Sequence, residues 1–329
     1  MPTPWAAVIS VVMPVRNASL WLPVLLAALV KEWHSDFELI AIDDGSSDGS
    51  GPLLQQLCAH WPQQRWRLLD GGGNGVSAAR NLGVQASRAP LIAFLDADDR
   101  PLPGRLSLPV QAFNNHPNLS HVHGGWWRCD SRGRKTHAVR PWQEGAGFSW
   151  QQCLEHKAVL PSAWTIRREA FSAVGGFDED LRHSEDVDLL VRLAAAGHHG
   201  SWIPQELVRY RIHGGNASAK LQPQLLGLLE VMNRHLQQVP AHSQAWARDL
   251  RYSTITWSVW QAWQAHQHSF ALQLLRQALS DCPYPLVRRP VQLIEAFQRS
   301  NDRIGERFDR NKFLASDFWK QAETLLLAR

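Results

Sequence analysis

The chain has 329 residues, 44% of them hydrophobic and 19% charged, a balance that fits a folded globular protein and excludes an intrinsically disordered one. A net charge of +4 is too small to mark a nucleic-acid-binding protein, and the four cysteines show no C-x-x-C spacing, which argues against a zinc site or a disulfide frame. No basic stretch precedes the first apolar segment, and the apolar run at 22–30 contains Pro23 and falls short of the roughly 20 residues a spanning helix needs, so a cytoplasmic location is expected.

Residues 8–13 read as a buried strand ending at Pro14, and 20–33 as a helix carried by Leu22, Leu25, Leu26, Leu29 and Val30. A second strand at 37–42 runs into Asp43-Asp44-Gly45-Ser46-Ser47-Asp48-Gly49. A helix with Leu53, Leu54 and Leu57, a strand at 66–69 and a glycine loop at 71–75 follow. Ser77 is expected to cap a helix reaching Ala86, and 91–95 is the fourth strand. Such alternation predicts a parallel sheet covered on both faces, with ligands at the carboxyl ends of its strands. Beyond Pro101 strands are expected at 121–128, 162–167 and 207–212, with helices at 170–174 and 186–196. The rest, from about Ala217, reads as helical, broken at Pro240, Pro283, Pro285 and Pro290; Trp257, Trp260 and Trp263 are read there as packing.

The fourth strand runs directly into Asp96, Asp98 and Asp99. In an extended chain side chains at i and i+2 face the same way, so Asp96 and Asp98 would point together, and two carboxylates that close repel. A hard divalent cation such as Mg²⁺ or Mn²⁺ removes the repulsion; the alternative is an acidic turn capping a helix after Pro101 or Pro103. Asp43-Asp44 is either an ordinary turn or a carboxylate that accepts from a nucleobase imide N–H. Arg80, early in a helix behind a glycine loop, suits the anionic edge of a nucleotide, although a solvated helix surface is the commoner place for such a residue.

Taken in order, Val11-Val12-Met13-Pro14-Val15-Arg16-Asn17, Ile42-Asp43-Asp44-Gly45-Ser46-Ser47-Asp48, Asn74-Gly75-Val76-Ser77-Ala78-Ala79-Arg80-Asn81 and Phe94-Leu95-Asp96-Ala97-Asp98-Asp99 resemble the motifs of a family 2 glycosyltransferase. The likeness continues through Val174-Gly175-Gly176-Phe177-Asp178, Ser184-Glu185-Asp186-Val187-Asp188 and Tyr210-Arg211-Ile212-His213, and covers residues 8–218, about two thirds of the chain. It implies an α/β protein of the GT-A type within the nucleotide-diphospho-sugar transferase superfamily: a mixed sheet with helices on both faces, plus an all-helical appendage. The implied domains are 1–216, with a nucleotide-sugar half at 1–99 and an acceptor half at 100–216, and a helical region at 217–329.

By the same resemblance, Asp44, with Asp43, reads the uracil of the donor, and Pro14 and Arg80 line the nucleoside site. Asp96 approaches the ribose, Asp98 the cation, and His213 matches a position that completes the metal shell in some members; Asp96, Asp98 and His213 are the implied metal set. Asp186, with Glu185 beside it, matches the general base, while Asp188 supports structure. Arg16 stands where many members have an aromatic residue, leaving room for cation–π stacking on the base or for a donor other than a uridine nucleotide.

The implied reaction is a single inverting displacement, with sugar moving from a nucleoside-diphosphate donor, UDP-linked by expectation, to a hydroxyl on a carbohydrate or lipid-linked acceptor in cell-surface polysaccharide or glycoconjugate synthesis. Trp126, Trp127, Trp150 and Trp164 fall in the acceptor half and are read as packing ahead of sugar stacking. A sugar nucleotidyltransferase and a catalytically silent sugar-nucleotide-binding protein are the rival readings. Residues 286–329 hold nine Lys/Arg against six Asp/Glu, an excess of +3 compatible with salt-sensitive peripheral binding at the inner face of a membrane.

Overall fold

The computed structural model describes residues 7–216, 220–237, 239–280, 282–303 and 307–328. They divide into two compact units, 1–219 and 220–329, each with its own apolar core. Residues 217–219, where the helical region is expected to begin, lie outside the described set.

In the first unit β1 (Ile9–Val15), β2 (Phe37–Asp43), β3 (Trp66–Asp70) and β4 (Leu91–Phe94) are parallel, in the order β3-β2-β1-β4. Between them run α1 (Leu22–Leu29), α2 (Ser50–Cys58) and α3 (Val76–Ala86). Every residue of β1 is buried, which requires cover on both faces. Ile9, Val11, Met13 and Val15 face the cluster containing Leu22, Leu25 and Leu54, whereas Val12 faces α3. There a Cβ on Gly83 would sit 2.5 Å from Val12 Cγ1 and 2.7 Å from Ile42 Cδ1, so only glycine lets the helix lie this close.

β1 passes through Pro14 instead of stopping before it. Val12 accepts from Leu95 N–H, and Pro14, two residues on, turns its backbone to the same side, where β4 has already ended, so its missing N–H costs no ladder bond. The sheet continues with β5 (Arg100–Pro101), β6 (His121–Cys129), β7 (Lys135–Val139), β8 (Trp164–Arg167) and β9 (Gly200–Arg211) in the order β4-β8-β6-β9-β5, with β7 paired to β6. β8 is antiparallel to β4 and β6, and β9 is parallel to β6, so the sheet is mixed, as the family resemblance implies. α4 (Ser107–Asn115), α5 (Trp150–His156), α6 (Arg168–Ala173) and α7 (Glu185–Ala195) complete the unit.

Several local expectations are corrected. Ser77 does not cap α3: the cap position is Gly75, at φ +102°, a conformation that favours glycine. The expected helix at 20–33 keeps only its first part as α-helix and tightens into a 3₁₀ stretch at Val30–Ser35. β9 begins seven residues before the strand expected at 207–212, because Pro204 and Gln205 are accommodated in an irregularity between the pairs Gly124–Ile203 and Gly125–Glu206. β7 has no apolar alternation to announce it, being largely exposed. α5 opens on a capping box of Ser149 and Gln152, a signal that the sequence carries in its S-x-x-Q spacing.

Six helices, α8 (Leu221–Leu236), α9 (Gln244–Gln264), α10 (His268–Ser280), α11 (Arg289–Arg303), α12 (Arg310–Leu314) and α13 (Asp317–Leu327), are described in the second unit. Trp260 is buried in its core, and Trp263 packs on Phe297 and Phe313, so these tryptophans are packing. Pro290 does not break the chain; it sits in the first turn of α11, where a missing N–H is tolerated. No described helix is long and apolar enough to cross a membrane.

β6 carries two fully buried histidines, His121 and His123, packed against Phe148 and Trp164, and none of their four ring nitrogens has a hydrogen-bond partner among the described residues. Burial, then the charge of His198, pushes the His121 pKa down to about 3; burial, then His121 and Arg105, holds His123 well below its usual value. Both are therefore neutral in the fold, while an unfolded chain takes up protons below about pH 6.5. Their contribution is present above that pH and lost as pH falls, by about 1.4 kcal/mol per unit per histidine. Denaturant melts at pH 7 and pH 5 should show a smaller acid loss in His121→Phe than in the parent; equal losses would contradict this account.

Candidate active site

The loops after β1 and β2 are laced together. Asn17, at φ 51°, accepts from Ser47 N–H at 2.8 Å and donates its own N–H to Ser46 Oγ at 3.1 Å. Asp43 belongs to this turn: its Oδ1 accepts from Ser46 N–H at 2.9 Å, and a Cβ on Gly51 would lie 2.6 Å from its Oδ2. Asp44 is buried, and its Oδ2 accepts from Gly75 N–H at 3.0 Å, which binds the glycine loop to the sheet. Arg16, expected beside the base pocket, is largely exposed with its Nη1 3.6 Å from Asp44 Oδ2. Pro14 is buried in the strand between these loops and β4.

The pairing expected of Asp96 and Asp98 is not found. β4 ends at Phe94, and residues 96–99 form a turn closed by Asp99 N–H on the Asp96 carbonyl at 3.1 Å, so the alternation of an extended chain does not apply. Asp96 accepts from Arg80 Nη2 at 2.7 Å, and Arg80 Nη1 donates to Glu185 Oε1 at 2.8 Å. This buried arginine thus joins the carboxyl end of β4 to the start of α7, 105 residues apart in sequence between Arg80 and Glu185. Burial opposes its charge, but Asp96 and Glu185 more than restore it and raise its pKa.

Ser184, at φ 61°, turns the chain into α7 so that Glu185 and Asp186 open the helix. Burial, then the charge of Glu185, raises Asp186 to about pH 7, with Arg80 opposing. A carboxyl poised there can take a proton at neutral pH. Asp188, fully buried, accepts from Arg192 Nε at 2.7 Å, and Arg192 donates on to the Val174 and Gly176 carbonyls, a structural part as expected.

Asp98 turns the other way. Its Oδ2 lies 3.0 Å from His213 Nε2 and accepts from Asn216 Nδ2 at 3.2 Å, while Arg211 Nε donates to its carbonyl at 3.0 Å. Asp99 is buried and accepts from Arg211 N–H at 3.0 Å; burial, then Asp98 and Asp96, holds its pKa well above the usual carboxyl range. Among the described residues no three His, Cys, Asp or Glu side chains converge on one metal position. The expected set of Asp96, Asp98 and His213 therefore reduces to the pair Asp98 and His213, because Asp96 is engaged by Arg80. That pair fits a cation: adjacent corners of an octahedron with bonds of about 2.1 Å lie about 3.0 Å apart.

Arg105 carried no sequence signal, yet it is buried and donates to Ser162 O, Thr165 Oγ1, Phe94 O and Trp164 O. It fixes the segment bearing Ser162, whose Oγ accepts from Asp96 N–H at 2.9 Å. Trp164 is fully buried beside Phe94, so it packs and presents no face to a sugar. Trp21, also unforeseen, lies on His213 at 5.4 Å between ring centroids and under the Arg211 guanidinium at 4.3 Å.

Residues 10–175 match the family model described as Glycosyl transferase family 2. Among curated relatives, an uncharacterized glycosyltransferase of Rickettsia felis is 28% identical over 210 residues, 63% of this chain and 33% of that protein. The chondroitin synthase of Escherichia coli is 24% identical over 238 residues, 70% of this chain and 33% of that one. The matched chain thus spans about a third of the length of these relatives. Among solved structures, the mannosyltransferase PcManGT from Pyrobaculum calidifontis in complex with GDP-Man and Mn²⁺ superposes with a TM-score of 0.59 at 14% identity, covering 99% of this chain and 88% of that one. S. aureus TarS 1-349 in complex with UDP gives 0.53 at 14% identity, covering 92% and 93%. At these identities the likeness establishes the fold, that of GT-A glycosyltransferases.

Proposed function

The chain belongs to glycosyl transferase family 2, and from that premise we propose that it transfers a sugar, with inversion, from a nucleoside-diphosphate donor to an acceptor hydroxyl. The observation that carries this reading is the Arg80 bridge: it ties Asp96, at the donor end of β4, to Glu185, next to an Asp186 poised near neutral pH. Asp186 takes the proton of the acceptor hydroxyl as its oxygen attacks the anomeric carbon, and the sugar leaves the diphosphate in the same displacement. Arg80 holds the two sides in register and opposes the burial that raises the Asp96 pKa. Asp98 and His213 would hold a divalent cation, which would offset negative charge gathering on the departing diphosphate. PcManGT in its complex with Mn²⁺ supports that assignment.

We place the base of the donor at the Asp44 end of the sheet and take the donor to be UDP-linked, for which the TarS complex with UDP is the support. The likeness to chondroitin synthase supports a role in polysaccharide or glycoconjugate synthesis. A thermal-shift screen of nucleotide sugars with Mn²⁺, followed by product analysis, tests the whole reading: a nucleoside diphosphate as product supports it, and pyrophosphate, or no turnover at all, sinks it.

Asp44 should also select the base. Asp44→Asn keeps the size of the side chain but removes the charge facing an imide N–H, and should weaken UDP binding by about 1–3 kcal/mol. An equal loss for GDP in parallel titrations would show that Asp44 serves the Gly75 loop and not base choice.

A further inference from the structure

The first unit carries a pocket of about 380 Å³ to which the reaction described above assigns no part. Four arginines line it: Arg100, Arg132, Arg209 and Arg211. Part of its wall is apolar, formed by Leu20, 71% exposed, Trp21, and Val24, 47% exposed.

Arg100 on β5 and Arg209 on β9 are direct partners in an antiparallel pair, so their side chains leave the same face of the sheet. Like charges directly opposed destabilise such a pair unless something negative sits between them. Among the described residues no carboxylate forms an ion pair with Arg100 or Arg209. Asp130 pairs with Arg134, Glu206 with Arg140, Asp98 with His213, and Asp99 accepts from the Arg211 backbone. Arg209 Nε is buried without an acceptor among the described residues. The guanidinium of Arg211 lies over Trp21, so cation and apolar wall are contiguous.

We propose that this pocket binds a phosphate group carried on an apolar chain. The arginines take the phosphate as charge-assisted fork donors, and Leu20, Trp21 and Val24 cover the first carbons of the chain. Its volume lies at the lower end of the range for small-molecule sites. Arg211 and Trp21 also touch the Asp98 carbonyl and the His213 ring, so the pocket adjoins the proposed sugar-transfer site. On that reading of the function, the ligand is the acceptor, held by its phosphate with its sugar hydroxyl turned toward the reaction.

Binding alone tests the proposal, without turnover or donor. Octyl phosphate, octyl glucoside and inorganic phosphate are titrated calorimetrically into the full-length protein. Octyl phosphate should bind at one site, roughly tenfold or more tighter than either of the others, since only it satisfies both walls. In the double variant Arg100→Gln, Arg209→Gln its affinity should fall by roughly tenfold or more, while the unliganded melting temperature stays at or above that of the parent, because a repulsion has been removed. Arg132→Gln, at an exposed turn where folding is not at stake, should lose a smaller, measurable part. The proposal fails if the double variant binds octyl phosphate like the parent, or if inorganic phosphate binds as tightly as octyl phosphate. Displacement of octyl phosphate by UDP with Mn²⁺ would also overturn it, by assigning the arginines to the donor.

Discussion

Asp186→Asn is expected to lose at least about two orders of magnitude in turnover while binding the donor as the parent does, since it removes a proton acceptor and nothing that holds the nucleotide. The raised pKa makes the prediction sharper. With Asp186 titrating at about 7, the parent should gain activity as pH rises through neutrality, because only the ionised carboxylate accepts a proton. Glu185 is the largest charge raising that pKa, so Glu185→Gln should move the rising limb to lower pH. Stability should run in the opposite sense to activity. A carboxyl raised in the fold stabilises below the unfolded value near 4 and loses that contribution as pH rises through 7. Asp186→Asn should therefore be at least as stable as the parent at pH 8. A pH–rate profile for the three proteins decides: an unshifted limb in Glu185→Gln, or parental rates in Asp186→Asn, would assign the base elsewhere.

The first four strands and the loops after them were readable because their signals are local. Apolar runs, interrupted by Ser10 in β1 and Glu38 in β2, gave β1, β2 and β4, and the residues that follow them gave the Asp44 and Asp96–Asp99 loops. What was not readable depends on contacts that cross the chain. The i, i+2 spacing of Asp96 and Asp98 suggested one shared face, but the turn closed by Asp99 N–H separates them, one toward Arg80 and the other toward His213. Nothing near Arg80 in sequence announces that Glu185 is its second partner. Arg105 is the extreme case: an arginine between glycine and leucine gives no hint that four acceptors from the β4 and β8 segments await it. The opposition of Arg100 and Arg209 likewise exists only in the register of β5 and β9.

Asp98→Asn is expected to abolish the metal dependence of nucleotide binding, so that calorimetry returns the same UDP affinity with Mn²⁺ and without it. The reasoning begins from what the carboxylates cost the fold. Asp98 raises the pKa of both Asp96 and Asp99, so its charge disfavours theirs, and Arg80 relieves Asp96 while Asp99 is buried with the Arg211 N–H as its donor. Removing the Asp98 charge should thus leave the unliganded protein no less stable than the parent, since Asn keeps the shape and its amide oxygen can go on accepting from Asn216 Nδ2. A residue whose loss helps the apoprotein and destroys ligand affinity is held in place by the ligand's requirements, not by the fold's. The two members of the pair should differ in degree. Asp98 contributes a full negative charge to a divalent cation, whereas His213 contributes a neutral nitrogen that water can replace, so His213→Ala should retain a reduced metal effect. Metal dependence that survives intact in Asp98→Asn would remove the cation from this position and with it the assignment of the diphosphate to this end of the sheet.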